Sequence, residues 1–187
     1  SAFIDLLGID ASLTHDGTKI GIQYVNKWPQ DGFSWVYMLT DDYGSTTKTN
    51  FNALYVICSP VEGNLKLNTT MKMVVDEVYI KNGEISIPDG KYVFVMDVDG
   101  NKEYFNMLAS LAKGDTVTFA NSLYGAQRYD WTDAEHATSS IGGRLLNNGT
   151  VGSGFMTGAA PRTAVGVKTD GTVIFYTLDG RQTNHSY

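Results

Sequence analysis

Short apolar runs, alternating or continuous and separated by turn clusters, dominate the chain. Residues 19–25, 34–40, 53–59, 71–80, 84–87 and 91–98 are rich in β-branched and aromatic side chains and are predicted as strands. Between them lie Trp28-Pro29-Gln30-Asp31-Gly32, Asp41-Asp42-Tyr43-Gly44 and residues 60–64, with the Gly, Pro, Asn and Asp that turns favour. Pro88-Asp89-Gly90 predicts a turn with Pro at its second position. Residues 162–169 and 172–178 flank Asp170-Gly171, a pair suited to a two-residue hairpin turn with positive φ. One segment reads as helix: over 103–113, Tyr104, Met107, Leu108 and Leu111 share a face, and Gly114 supplies a left-handed stop. A strand then resumes over 115–120, and Thr132 with Glu135 has the capping-box spacing of a second short helical turn. Gly142-Gly143 and Asn147-Asn148-Gly149 predict tight turns around Arg144-Leu145-Leu146. No repeat or composition shift divides the chain. The expectation is one α+β domain over 1–187: a β-rich mixed or antiparallel sheet core with one or two short helices.

Composition sharpens this picture by exclusion. Of 187 residues, 42% are hydrophobic and 18% charged, which excludes a disordered chain. No apolar run is long enough to predict a spanning helix. The net charge of −6 argues against a nucleic-acid partner, which needs clustered Lys and Arg. One cysteine, Cys58, excludes an internal disulfide. Low charge and a lone cysteine fit an extracellular or cell-surface protein, bacterial in type. The Asn-x-Ser/Thr triplets at Asn68, Asn148 and Asn184 are no more than chance supplies.

Most chemical motifs read more simply as structure. Asp97-Val98-Asp99-Gly100-Asn101-Lys102-Glu103 has the composition of a calcium loop, but its glycine stands fourth rather than sixth, so it reads as an acidic turn capping the helix; no metal site is predicted. His15, His136 and His185 lack i, i+4 partners and read as structural. Ser153 lacks the Gly-x-Ser-x-Gly elbow, and no nucleotide-binding glycine loop occurs. The sequence names no cofactor. The C-terminal hairpin is different. Its two strands bring Arg162 and Thr163 to the same end as Asp179, Gly180 and Arg181. Two guanidiniums suited to phosphate or carboxylate, a hydroxyl and a carboxylate then converge. On spacing alone, an ion-paired hairpin end is an equal alternative.

The same residues carry a family resemblance. Pro161-Arg162-Thr163-Ala164-Val165-Gly166, Asp170-Gly171, Asp179-Gly180-Arg181-Gln182 and Ser186 resemble the signature of the phosphodiester glycosidase family. Residues 85–93, Gly114-Asp115-Thr116-Val117 and 141–149 resemble its central core in order and spacing, and Val25-Asn26-Lys27, Leu39-Thr40 and 43–50 look like its earlier strands. The resemblance spans roughly 19–187 and is strongest after residue 84. The family's upstream Asn-Gly-x-Phe-Phe-like and downstream Leu-Asp-Gly-Gly-Gly-Ser elements do not occur in the chain, which therefore reads as an interior, incomplete portion of such a domain.

The resemblance implies a hydrolase that cleaves a sugar-1-phosphodiester to free sugar and phosphomonoester, in a family with many exopolysaccharide-associated members. It implies catalytic roles for Asp179, Arg162 and Thr163, and substrate binding by Arg181, Gln182, Gly180, Gly142, Gly143 and Ser186. Glu135 is a weaker second carboxylate. The implied partner is a carbohydrate phosphodiester or cell-surface glycan. Two alternatives stay open: a glycan-binding module in which Trp28, Trp35 or Trp131 stacks on sugar rings, and a structural surface domain. An interior portion is also expected to self-associate, or to pair with a complementary chain, to cover open edges.

Overall fold

The structure, a computed structural model, describes residues 7–125, 131, 144–153, 158 and 160–181. They form two compact units, one holding the described residues up to 131 and the other those from 144 onward.

The first unit contains β1 (Leu7–His15), β2 (Thr18–Ile22), β3 (Tyr24–Val25), β4 (Val36–Leu39), β5 (Asn52–Glu62), β6 (Thr70–Asn82), β7 (Tyr92–Asp97), helix α1 (Lys102–Ala109) and β8 (Thr116–Gly125). The strands make one sheet in the order β2-β1-β8-β6-β5-β7-β4-β3. Every pairing is antiparallel except β3 with β4. The terminal strands of that order, β2 and β3, are separated in the chain only by Gln23, so the sheet closes on itself. Gln23 carries the ladder across the break. Its backbone N–H donates to the Val36 carbonyl (3.0 Å), and its side-chain carbonyl accepts the Val36 N–H (2.7 Å). A buried strand thereby keeps its donor satisfied.

Strand alternation sends Leu13, Ile20, Met38, Val56, Phe94 and Phe119 to one face of the closed sheet, where Met107, Leu108 and Leu111 pack with them. The opposite face of β4, β5 and β7 is also buried, beneath Phe51, Ile85 and Ile87. Because β5 and β7 are covered on both faces, they read as continuous apolar runs rather than alternating ones. A lone buried hydroxyl would be costly between such layers. Tyr55 avoids this by donating to the Gly83 carbonyl at 2.7 Å and bonding the Thr49 hydroxyl, which in turn bonds Thr47.

The β-rich expectation holds, and the helical part among the described residues is small. Several boundaries differ. The run at 19–25 is two strands broken at Gln23. The 53–59 strand continues through Pro60 to Glu62; beyond Cys58 it pairs with β6 alone and passes a register shift, a place where a strand accommodates proline. Residues 84–87 form no strand. Ser86 makes an isolated bridge to Thr46, and Ile85 and Ile87 instead cover the sheet. In the Pro88 turn, Lys91 N–H donates to the Pro88 carbonyl (3.1 Å), so proline is first rather than second. The helix ends at Ala109 rather than Lys113, closed by Ser110, while Gly114 takes its positive φ (+96°) in the turn that follows. Its predicted face is correct, with Met107, Leu108 and Leu111 buried. The start is capped by Asn101, whose side chain accepts from Glu103 and Tyr104. The turn predicted at Thr132 and Glu135 lies outside the described residues.

The second unit contains two small hairpins, β9 (Leu146–Asn147) with β10 (Thr150–Val151), and β11 (Arg162–Val167) with β12 (Val173–Leu178). Asn148 and Gly149 both have positive φ (+50° and +78°), as the tight turn predicted there requires.

Candidate functional site

The β11–β12 hairpin is set by its own sequence. Register runs from Val167 opposite Val173 to Arg162 opposite Leu178. Its loop is longer than the two-residue turn expected at Asp170-Gly171. Lys168 N–H donates to the Thr172 carbonyl (2.9 Å), and Gly171 N–H to the Lys168 carbonyl (3.0 Å). Thr169, Asp170 and Gly171 thus form a three-residue loop in which Gly171 alone has positive φ (+85°). The Asp170 carboxylate accepts the Thr172 N–H at 2.9 Å, stabilising this longer loop.

This register places Arg162, Thr163, Asp179, Gly180 and Arg181 at one end of the hairpin, as the sequence predicts. The convergence expected from the sequence is met only in part. Arg162 and Thr163 are neighbours on a strand and stand on opposite faces. The Arg162 guanidinium donates to the Pro161 carbonyl (3.0 Å) and the Gly158 carbonyl (3.3 Å). Among the described salt bridges, none joins Asp179 to Arg162 or Arg181. The ion-paired hairpin end, the simpler alternative, is thus not what the described residues form. A guanidinium has five N–H donors, so Arg162 retains donors beyond its two carbonyl contacts.

Gly180 holds the hairpin exit against the entry. A Cβ built there would stand 2.2 Å from the Ala160 carbonyl carbon and 2.5 Å from the Pro161 nitrogen. Only glycine permits this approach. Arg181, immediately after it, occupies the left-handed region (φ +62°), a strained conformation for a non-glycine residue. The chain therefore turns sharply where two site residues stand side by side. Gln182, Gly142, Gly143 and Ser186 lie outside the described residues, as do Glu135, His136 and His185.

Other candidates resolve into structural roles. Asp97 accepts the Gly32 and Asp99 N–H groups (2.8 and 3.0 Å), so the calcium-like segment ties down a loop and caps α1 through Asn101. His15 Nδ1 lies 3.1 Å from the Thr116 carbonyl oxygen, at the β1–β8 edge. Burial pushes the Cys58 thiol up to about 12, so it is a packing residue rather than a nucleophile.

One polar cluster had no signal in the sequence spacing. At the β5–β6 bulge, Asp76 Oδ2 accepts from the Ser59 hydroxyl (2.7 Å) and Lys91 Nζ (3.0 Å). Burial alone would raise the Asp76 pKa, but these hydrogen bonds and the charges of Lys91 and Lys113 outweigh it and hold the carboxyl below the usual range. An ionised carboxylate tied through one oxygen to a serine and a lysine in this way secures the bulge.

The chain belongs to the phosphodiester glycosidase family, whose model matches residues 60–186, a stretch that includes the β11–β12 hairpin. It is similar in fold to the crystal structure of a hypothetical protein from Synechocystis, with a TM-score of 0.55 and 16% identity. That likeness covers 96% of this chain but 32% of the other, so the chain spans about a third of that protein's length. No curated protein matches it by sequence.

Proposed function

We propose that this chain forms part of a domain that hydrolyses a sugar-1-phosphodiester to free sugar and phosphomonoester. The family match across 60–186 carries the reading, and the hairpin base supplies residues suited to it. Water adds at the anomeric carbon. The bond from that carbon to the phosphoryl oxygen breaks, its electron pair staying on the oxygen, and the water's proton passes to the phosphate or to solvent. Arg162 and Arg181 offset the diester's charge, which grows on the departing oxygen. Thr163, on the face of β11 opposite Arg162, donates to a sugar oxygen rather than to the phosphoryl group beside Arg162. Asp179 is exposed and unengaged by either arginine in the described contacts, which suits proton transfer better than holding a guanidinium. The oxocarbenium-like state of glycoside cleavage ordinarily uses two carboxylates, so Asp179 supplies one of the pair. The family resemblance assigns substrate binding to Gly180, Gln182, Gly142, Gly143 and Ser186 as well.

The test uses the full-length protein containing this chain and UDP-N-acetylglucosamine. N-acetylglucosamine and UDP are the expected products; N-acetylglucosamine-1-phosphate and UMP would place the cut at the wrong bond and overturn the reading. Arg162→Ala is expected to lower kcat/KM by about 100-fold or more, as loss of a charge-stabilising donor does. Unchanged turnover would remove Arg162 from the mechanism.

The proposal extends to self-association. Val165, Val173, Ile174, Phe175 and Tyr176 are all exposed on a two-stranded sheet whose outer edges pair with no other strand among the described residues. Such edges pair readily with an identical copy. Light scattering should give a mass that rises with concentration for this chain and falls toward the monomer in Phe175→Thr. A monomer at every concentration would count against it.

A further inference from the structure

The connection between β3 and β4 carries an arrangement that the hydrolytic reading does not use, in a part of the chain before residue 60. Trp28 is 60% exposed, yet its indole is fixed: Nε1 donates to the Lys48 carbonyl at 3.1 Å. Phe33 is 41% exposed and stacks on Trp35, with centroids 4.0 Å apart and planes inclined by 10°. Tyr24 packs edge-on against Trp35 and stacks on Tyr37. Two cations are held in this aromatic group. Lys27 Nζ sits 4.2 Å above the Tyr24 ring centroid, and Lys48 Nζ sits 5.1 Å from that of Tyr43.

The backbone is bent to make this arrangement. Lys48 has φ +52° and Asn26, the residue before Lys27, has φ +51°, both in the left-handed region. Such conformations persist where surrounding contacts over-determine them. Lys48 stands between Thr47 and Thr49, whose buried hydroxyls bond each other. Asn26 is locked by its side chain, with Oδ1 accepting the Thr40 N–H at 2.8 Å and Nδ2 donating to Thr40 Oγ1 at 2.9 Å. The left-handed turns at Asn26 and Lys48 thus set two exposed lysines over the half-buried rings of Tyr24 and Tyr43, with the exposed Trp28 next to Lys27 in the chain and tied to the Lys48 backbone.

We infer that Trp28 and Phe33, flanked by Lys27 and Lys48, form a binding platform for an anionic glycan. Aromatic ring faces present flat apolar surface to the apolar face of a sugar ring, and a fixed indole loses little freedom on binding. The lysines supply the attraction for a carboxylate or phosphate on the sugar. Because the chain as a whole carries −6, these cations are not part of a general basic surface, which disfavours nucleic acid as the occupant. The platform is independent of Arg162 and of hydrolysis.

Intrinsic tryptophan fluorescence and calorimetric titration of the whole chain test this. The probes are an alginate hexauronate, a phosphodiester-linked hexamannoside, neutral maltohexaose and oligothymidylate. Binding of either anionic glycan, weakened by added salt and at least about tenfold tighter than maltohexaose, is expected. Trp28→Ala should weaken it by about tenfold or more, as loss of a central aromatic anchor does. Because Trp28→Ala also removes the bond to Lys48, the Lys27→Gln/Lys48→Gln double variant provides a second test. It should bind the anionic glycan no better than maltohexaose while its melting temperature is unchanged. Preference for uronate or for phosphodiester identifies which anion the platform takes. Binding of neither, equal binding by both variants, or tighter binding of oligothymidylate would overturn the inference.

Discussion

Gly180→Ala is expected to open the base of the β11–β12 hairpin, whereas Gly166→Ala in the same hairpin leaves it intact. The added methyl at 180 would lie 2.2 and 2.7 Å from the carbonyl carbon and Cα of Ala160, backbone atoms that cannot turn aside as a side chain would. Overpacking of this kind costs about 3 kcal/mol or more when the neighbour is main chain. Amide exchange at Arg162 and Leu178, the last paired residues of the hairpin, should accelerate by about 100-fold, since about 1.4 kcal/mol corresponds to each factor of ten. At Gly166 nothing lies within 4 Å of the added carbon and the backbone has ordinary φ. Alanine there relieves a strand of glycine's entropy cost and is neutral or stabilising by about 0.5 kcal/mol. In the full-length protein, Gly180→Ala is also expected to abolish diester cleavage by moving Asp179 and Arg181. Equal exchange in the two variants would show that the close approach at Ala160 is not what holds the hairpin together.

The sequence puts Gly166 inside a strand and Gly180 just past one, but it does not reveal that Gly180 must lie against Ala160. The hairpin itself was legible, because alternation and an Asp-Gly pair act within a few residues. The Gly180–Ala160 approach depends on how far the chain turns after β12, which no local pattern encodes. The same limit hid β1. Ile9, Ala11 and Leu13 alternate with Asp10, Ser12 and Thr14, but no turn cluster marks the start of the run. Its partnership with β8 joins residues more than a hundred positions apart, from Leu7 with Gly125 to Thr14 with Thr118. Closure of the sheet through Gln23 was likewise invisible, since a single glutamine between two apolar pairs reads as continuity. For the site, residue types and their shared end of the hairpin were legible. That Arg162 binds main-chain carbonyls rather than Asp179 was not, because guanidinium partners are chosen by loop geometry.

The largest effect on the first unit is expected from Phe94→Ala, and the contrast with Phe175→Ala shows what burial decides. Both phenylalanines occupy strands in apolar company. Phe94 is fully buried on β7, opposite Val56 of β5 and Met38 of β4, all three in one cluster. Its neighbours Val93 and Val95 belong to the other cluster, beneath Ile85 and Ile87. A void at 94 therefore opens within a strand fixed on both faces, where collapse of the surroundings is hindered. Truncation of a buried Phe to Ala costs about 3–5 kcal/mol, the cavity adding to the lost transfer energy. For a unit of this size the melting temperature should fall by on the order of 10 °C. Phe175 is 72% exposed, and its truncation should change stability by no more than about 0.5 kcal/mol. Urea unfolding followed by near-ultraviolet circular dichroism at low protein concentration separates the two without interference from association. If Phe94→Ala lost less than about 1 kcal/mol, the closed sheet would have to relax around the void in a way that close-packed interiors resist. The doubly covered centre of β5 and β7 would then not be the rigid frame of this unit.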